Sequence, residues 1–330
     1  MRAHFRSPVV RSRKVGFQHH RTTQEAANSG IPSNKVPIAS LARSELGAIS
    51  RRTLTQASVL WTASGLETVR AVSTRATNHK DSKMLDAWAT LCGVNKDNDD
   101  LVQELEMHDR LKSRRVADAM RKVDRKFFIR PDMHALQAYS DQALPIGYGQ
   151  TISAPHMHAA ALELLERNLR PGASVLDVGS GSGYLSTVMG HLVSDTGHVL
   201  GIERVPQLAQ RSIPSLRRAA PELYEKGTVT LKAGNALDDP ALDEYGPFSA
   251  IHVGAAASDL PQVLIDKLKP GGRMVIPVGE QNDLQVLKCI DKDKEGMVTS
   301  RDMMGVLFVP LKDSAMPAHP EVPHHRDPEL

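Results

Sequence analysis

Aromatic side chains are scarce in this sequence: 6 Phe, 5 Tyr and 2 Trp among 330 residues. Stacking platforms for bases or sugars need repeated aromatics, so extended surfaces of that kind are excluded. Cysteine is scarcer still. Cys92 and Cys289 lie far apart, with neither the density of a disulfide scaffold nor metal-ligand spacing. They imply two free thiols in a reducing compartment. No apolar run approaches the ~18 residues of a membrane span, so a soluble chain with no membrane partner is expected. Acidic residues are nearly missing from the first 78 positions, which hold Glu25, Glu45 and Glu67 against 12 Lys and Arg. The remainder carries 29 basic and 35 acidic residues, so the formal net charge of +3 belongs to the N-terminal segment. A mildly acidic body with few aromatics argues against a nucleic-acid partner.

What the chain does hold is 41% hydrophobic and 24% charged residues, ordinary for a globular protein. Residues 1–95 show no strand pattern and form a targeting or disordered extension. Arg2, Arg6, Arg11, Arg13 and Lys14 stand in an acid-poor stretch that points to an organellar transit peptide, for chloroplast or mitochondrion. A disordered arm on a cytoplasmic protein and a short nuclear signal at 11–14 are the alternatives. Positions 53–75 space like a loose amphipathic helix.

From Leu101 to Val123 apolar residues recur at helical spacing, predicting two short helices broken near Ser113. From Ala173 onward apolar runs predict strands at 175–178, 199–202, 229–231, 250–253, 273–276, 284–287 and 306–309. Helices are predicted at 184–193, 207–218 and 262–268, and another beginning near Ala159. This alternation predicts an α/β fold: a doubly wound, mostly parallel, seven-stranded sheet covered on both faces. The last strands follow one another without helices, which predicts an antiparallel edge. The domain is placed at 96–312, and the Pro-, His- and acid-rich tail over 313–330 is expected to be disordered.

Asp177-Val178-Gly179-Ser180-Gly181-Ser182-Gly183 closes the first strand of this series and opens a helix. Glycines there let the backbone turn tightly and approach a ligand, and in open parallel sheets ligands sit beyond the carboxyl ends of strands. The dinucleotide pattern Gly-x-Gly-x-x-Gly fails, because Tyr184 stands at its third glycine. No lysine follows as in a P-loop. Glu203 ends the next strand about 20 residues past the turn, where a carboxylate can accept from a ribose diol. Asp-x-Gly-x-Gly-x-Gly resembles the first motif of class I methyltransferases, with a Rossmann-like fold and S-adenosyl-L-methionine as cofactor.

Gln150-Thr151-Ile152-Ser153-Ala154-Pro155-His156-Met157-His158 carries the sharper resemblance. With 176–183, 251–257, 264–279 and 305–311, it resembles the protein-L-isoaspartate O-methyltransferases over roughly 100–312. The resemblance implies that Ser153 is the active-site serine. It implies that Gln150, Thr151, Ile152 and His158 line the cofactor and substrate pocket. Asp177, Gly179, Ser180 and Gly181 fall on the cofactor turn, and Glu203 on the ribose-binding acid. Asn235 and Ala236 stand where the family has Asp-Gly. Asn can still offer an oxygen to an adenine amino group, whereas Ala would be strained if its φ were positive, by roughly 1 kcal/mol or more.

The implied substrates are isoaspartyl proteins and peptides, met by a monomer without a metal. Their free carboxylate is already ionised at neutral pH and needs no base, so alignment supplies the catalysis, up to ~7–11 kcal/mol. The methyl ester then closes to a succinimide and hydrolyses without the enzyme. His156 and His158 lack a nearby acid in sequence to complete a metal set. Ser153 lacks the glycine neighbours of an acyl-transfer elbow, and as a bland alternative it caps a helix. His252, on an apolar strand, is read as a satisfied core histidine. A methyltransferase of different specificity and a non-catalytic cofactor-binding adaptor are the competing functions.

Overall fold

The computed structural model describes residues 95–133, 135–280 and 283–312. The transit segment, the amphipathic stretch, Cys92 and the tail expected from sequence lie outside the described residues. Helix α1 (Asn98–Met107) starts where the Asp97 side chain accepts from the N–H groups of Asp99 and Asp100, which the first turn of a helix leaves without partners. Helix α2 (Arg114–Lys122) is capped by Ser113, so the break expected there is a cap. A 3₁₀ turn (Arg125–Phe128) and the one-turn α3 (Ala135–Ala138) follow.

A hairpin of β1 (Leu144–Gly147) and β2 (Gln150–Ile152) comes next. Periodicity did not announce it, because strands of four and three residues are too short to show alternation. Helix α4 (Pro155–Leu165) begins at Pro155, earlier than the start expected near Ala159. Proline suits a first helical position, where its missing N–H would have had no partner.

The main sheet follows the alternating pattern. In chain order come β3 (Ser174–Val178), α5 (Tyr184–Val193), β4 (His198–Glu203), α6 (Pro206–Ala219), α7 (Pro221–Glu225) and β5 (Val229–Ala233). Then come α8 (Ala241–Tyr245), β6 (Phe248–Val253), α9 (Gln262–Lys267), β7 (Leu268–Val278), β8 (Gln285–Lys292) and β9 (Val298–Val306). The spatial order is β5-β4-β3-β6-β7-β8-β9. The first five pair in parallel and β8 and β9 are antiparallel, so the seven-stranded sheet with an antiparallel edge is as expected.

Three strands differ by five residues or more. Strand β8 runs on to Lys292, five residues past the 284–287 run, where Lys288 and Asp291 interrupt the apolar pattern. Strand β7 begins five residues earlier than the 273–276 run, since Pro270, Gly271 and Gly272 disguise its start. The last strand is 298–306, not 306–309. Strand β9 is exposed along almost its whole length, so no burial imposes an apolar alternation on its sequence.

Successive strand side chains face opposite ways. Val175 and Val199 therefore pack with Leu185, Val188 and Leu208 on one face, while Leu176, Val178, Leu200 and Ile202 pack with Leu264 and Ile265 on the other. Burying each such side chain contributes roughly 1.5–3 kcal/mol. The chain runs β3 to β4 to β5 on one side of β3, then returns to β6 on the other. That reversal opens a crevice beyond the carboxyl ends of β3 and β6.

Candidate active site

The glycine turn is stitched between the strands that flank it. Gly179 N–H donates to the Ile202 carbonyl at 2.8 Å, and Gly254 N–H donates to the Val178 carbonyl at 2.8 Å. Gly183 caps α5 with φ 84°, and a Cβ there would lie 2.8 Å from Leu231 Cδ1. Its bare backbone lets α5 settle against β5. Gly181 N–H and Val205 N–H each donate to the Glu203 carboxylate at 2.8 Å. Burial pushes the Glu203 carboxyl above its usual range, and these two backbone bonds offset that only in part. A carboxylate has about four acceptor sites, so Glu203 can hold the turn and still receive a ribose diol.

A crevice of about 620 Å³ opens over this turn. Gln150, Thr151, Gly179, Gly181, Glu203, Asn235 and Ala236 all border it. Asn235 Oδ1 accepts from Leu237 N–H at 3.2 Å, which shapes the loop after β5. Ala236 is buried and is not among the residues with positive φ, so the strain its methyl group would bring does not arise. The opposite wall is the run after β9. Ala256 N–H donates to the Val309 carbonyl at 2.8 Å and Leu311 N–H to the Ala256 carbonyl at 2.7 Å. The buried Gln285 side chain holds both backbone groups of Phe308, at 2.6 and 3.1 Å. The apolar run expected as a strand is thus a strap along the crevice, with Val309, Pro310 and Leu311 in its lining.

A second chamber of about 370 Å³ adjoins the first and shares Thr151, Gly179, Gly181 and Gly254 with it. Ile152 at the end of β2, Ser153 in the link that follows and His158 in the first turn of α4 border it on one side, and Asp177, Ser180, Tyr184 and His252 on the other. The cap of α4 is Ala154, without a side-chain bond, so Ser153 is not the helix cap. No described residue hydrogen-bonds its hydroxyl. Asp177, buried in the strand, is satisfied by the Ser186 hydroxyl on one oxygen and His252 Nδ1, at 2.8 Å, on the other. His252 is hydrogen-bonded as its strand position suggested, but its ring borders the chamber, which an apolar strand context conceals.

His158 rests against the Tyr184 ring, with centroids 5.0 Å apart. Its Nδ1 lies 3.4 Å from Arg125 Nη1. Burial, then the Arg125 charge, hold its pKa well below the usual value, so the ring is neutral. Burial raises the Tyr184 hydroxyl to about 12. Arg125 itself is fully buried, and Nη2 donates to the carbonyls of Ser153 at 2.8 Å and Gln142 at 3.2 Å. Burial lowers its pKa to about 10, which leaves it charged at neutral pH. Sequence reasoning missed it, because Asp124-Arg125-Lys126 has the look of a solvated charge run. His156 pairs with Asp141 at 2.8 Å, so the two histidines of the first turn of α4 serve different partners.

These linings fit a ligand that carries adenosine. Glu203 has acceptor sites left for a diol, Ile202 and Ala236 give the crevice apolar lining, and the glycine turn permits close approach. Comparison with known proteins agrees. Residues 95–316 match the family profile described as protein-L-isoaspartate(D-aspartate) O-methyltransferase. The chain is 44% identical over 219 residues to protein-L-isoaspartate O-methyltransferase 1 of Arabidopsis thaliana, covering 66% of this chain and 92% of that protein. It is 42% identical over 231 residues to a protein of the same name from Triticum aestivum, covering 69% and 96%. Among solved structures, a Plasmodium falciparum chain assigned as a protein-L-isoaspartate O-methyltransferase, in complex with S-adenosyl-L-homocysteine, superposes with a TM-score of 0.61. It is 35% identical, and the match covers 67% of this chain and 100% of that one.

Proposed function

The chain belongs to the protein-L-isoaspartate(D-aspartate) O-methyltransferase family, and from that premise we propose how its own residues perform the reaction. It is an S-adenosyl-L-methionine-dependent enzyme that methylates the free carboxylate of L-isoaspartyl residues. When bound, S-adenosyl-L-methionine supplies a methyl group made electrophilic by its sulfonium. Glu203 would receive its ribose diol, Asn235 and Ala236 would stand beside its adenine, and the turn from Asp177 to Gly181 would take its amino-acid end. Gln150 and Thr151 border the crevice, and Thr151, Ile152 and His158 border the chamber beside it. Ser153 donates its hydroxyl to one oxygen of the incoming carboxylate and aims the other oxygen along the axis of displacement. The carboxylate is ionised at neutral pH, so no residue has to act as base, and the gain comes from alignment.

One observation carries this reading: the serine-bearing loop and the glycine turn border the same chamber, which adjoins the crevice lined by Glu203. The deciding experiment offers the full chain an isoaspartyl peptide beside its normal aspartyl twin. Methyl incorporation into the isoaspartyl peptide alone is expected, and equal labelling of the twin would point to another substrate class. The partners are damaged proteins and peptides, met by a monomer without nucleic acid. Residues 1–95 direct the enzyme to an organelle, a reading supported by the 12 basic and 3 acidic side chains of the first 78 positions. A fluorescent protein fused behind them should concentrate in chloroplasts or mitochondria, and a diffuse cytoplasmic signal would count against it.

A further inference from the structure

A buried charge without an opposite partner is costly and calls for a reason. Arg125 is such a charge. Its side chain is 0% exposed, and its guanidinium touches two carbonyls, one imidazole nitrogen and a ring face, but forms no ion pair among the described residues. Asp141, the acid whose field reaches it, is paired with His156 instead. Nε has no hydrogen-bond partner among the described residues. What the guanidinium does touch is the wall of the methyl-transfer chamber: the Ser153 carbonyl, His158 and, with Cζ 5.5 Å from the ring centre, Tyr184.

The chemistry of the pair with His158 has one solution. A guanidinium can only donate, so His158 Nδ1 accepts and the single proton of the neutral ring sits on Nε2. No described residue bonds Nε2, which leaves that N–H to the chamber His158 lines. We propose that Arg125 is the positioning residue of this chamber. It fixes the serine loop through its backbone and locks His158 as the Nε2–H tautomer. Ser153 Oγ–H and His158 Nε2–H then form a two-point donor clamp for a carboxylate. The buried guanidinium behind them adds a positive field that favours an anion in the chamber. This inference rests on the chamber being the site of methyl transfer. The carboxylate it serves comes either from the isoaspartyl residue or from the amino-acid end of the cofactor.

The test starts with the unaltered full chain. A long-range ¹⁵N–¹H imidazole spectrum, with His158 assigned by its loss in His158→Gln, should show a neutral ring protonated at Nε2. A proton on Nδ1, or a charged ring at neutral pH, overturns the proposal without any Arg125 variant having to fold. Arg125→Met, if it folds, should lose that tautomer signature. One carboxylate contact should also weaken by about tenfold or more, the effect of one hydrogen bond to a charged group. A rise in KM for the isoaspartyl peptide, with unchanged affinity for S-adenosyl-L-homocysteine, assigns the clamp to the substrate. A fall in that affinity assigns it to the cofactor. Retention of both constants, or a parallel loss of both with the tautomer intact, overturns the proposal. If the unaltered enzyme fails to methylate the isoaspartyl peptide, the functional reading fails first, while the tautomer measurement still judges Arg125.

Discussion

Ser153 is held by its backbone and left open at its side chain. Its carbonyl accepts from Arg125, and its hydroxyl bonds no described residue. Ser153→Ala should therefore leave the melting temperature unchanged. Turnover should fall by about tenfold or more, the cost of one hydrogen bond to a charged carboxylate. Cofactor affinity measured by calorimetry should stay within about twofold. Turnover that also stayed within about twofold of the unaltered enzyme would remove the serine's assigned role. Ala236 shows the limit of residue identity as a guide. A methyl group where the sequence resemblance leads one to expect glycine suggested strain, yet strain depends on φ, and φ at that position is set by the loop after β5.

The strap beyond β9 is the element that the sequence pattern disguised. Val306-Leu307-Phe308-Val309 is apolar, as a buried strand would be, but the chain leaves the sheet after Val306 and Val309 to Lys312 wall the crevice. Gln285, 1% exposed, substitutes for a neighbouring strand by bonding both backbone groups of Phe308. Gln285→Ala strands those two groups, a cost of roughly 1–3 kcal/mol, and loosens the strap. Affinity for S-adenosyl-L-homocysteine should drop by about tenfold, while kcat at saturating cofactor stays near that of the unaltered enzyme. Calorimetry and steady-state kinetics would check this, and unchanged affinity would show that the strap contributes no binding. At the other wall, the β1–β2 hairpin turns through Gly147, Tyr148 and Gly149, all at positive φ. Three such residues in a row require a fixed hairpin tip, which no periodicity signals.

At the scale of the whole molecule, three wholly or partly buried histidines among the described residues set the response to acid. His158, His191 and His198 all have pKa values below 6.5, burial being the largest cause in each. The unfolded chain thus binds protons that the folded chain refuses as pH falls below about 6.5. Their contribution is fully present above that value and is lost progressively towards lower pH. Glu203, raised by burial, acts oppositely but from a reference of 4.5. The melting temperature should therefore fall between about pH 7.5 and about pH 6, and a flat or rising profile would contradict the neutral buried state. The family match spans 95–316. A chain starting near residue 95 should fold and methylate isoaspartyl peptide at a rate within about twofold of the full chain. Loss of soluble protein on that truncation would show that the first segment is structural.

Local patterning sufficed for the strand–turn–helix units, because burial on both faces imposes short apolar runs on Val175–Val178 and Val199–Ile202 and helical spacing on Leu185–Leu192. The glycine turn and Glu203 were legible for the same reason: a tight turn and an acid at a strand end are short-range requirements. The tertiary structure alone decided which side chains share a cavity. Arg125 and His158 are 33 residues apart and Asp177 and His252 are 75 apart. Such pairs carry no spacing rule, since the meeting of two distant segments depends on sheet order and helix packing. Burial of a charge, the feature that singles out Arg125, exists only once those segments have closed over it.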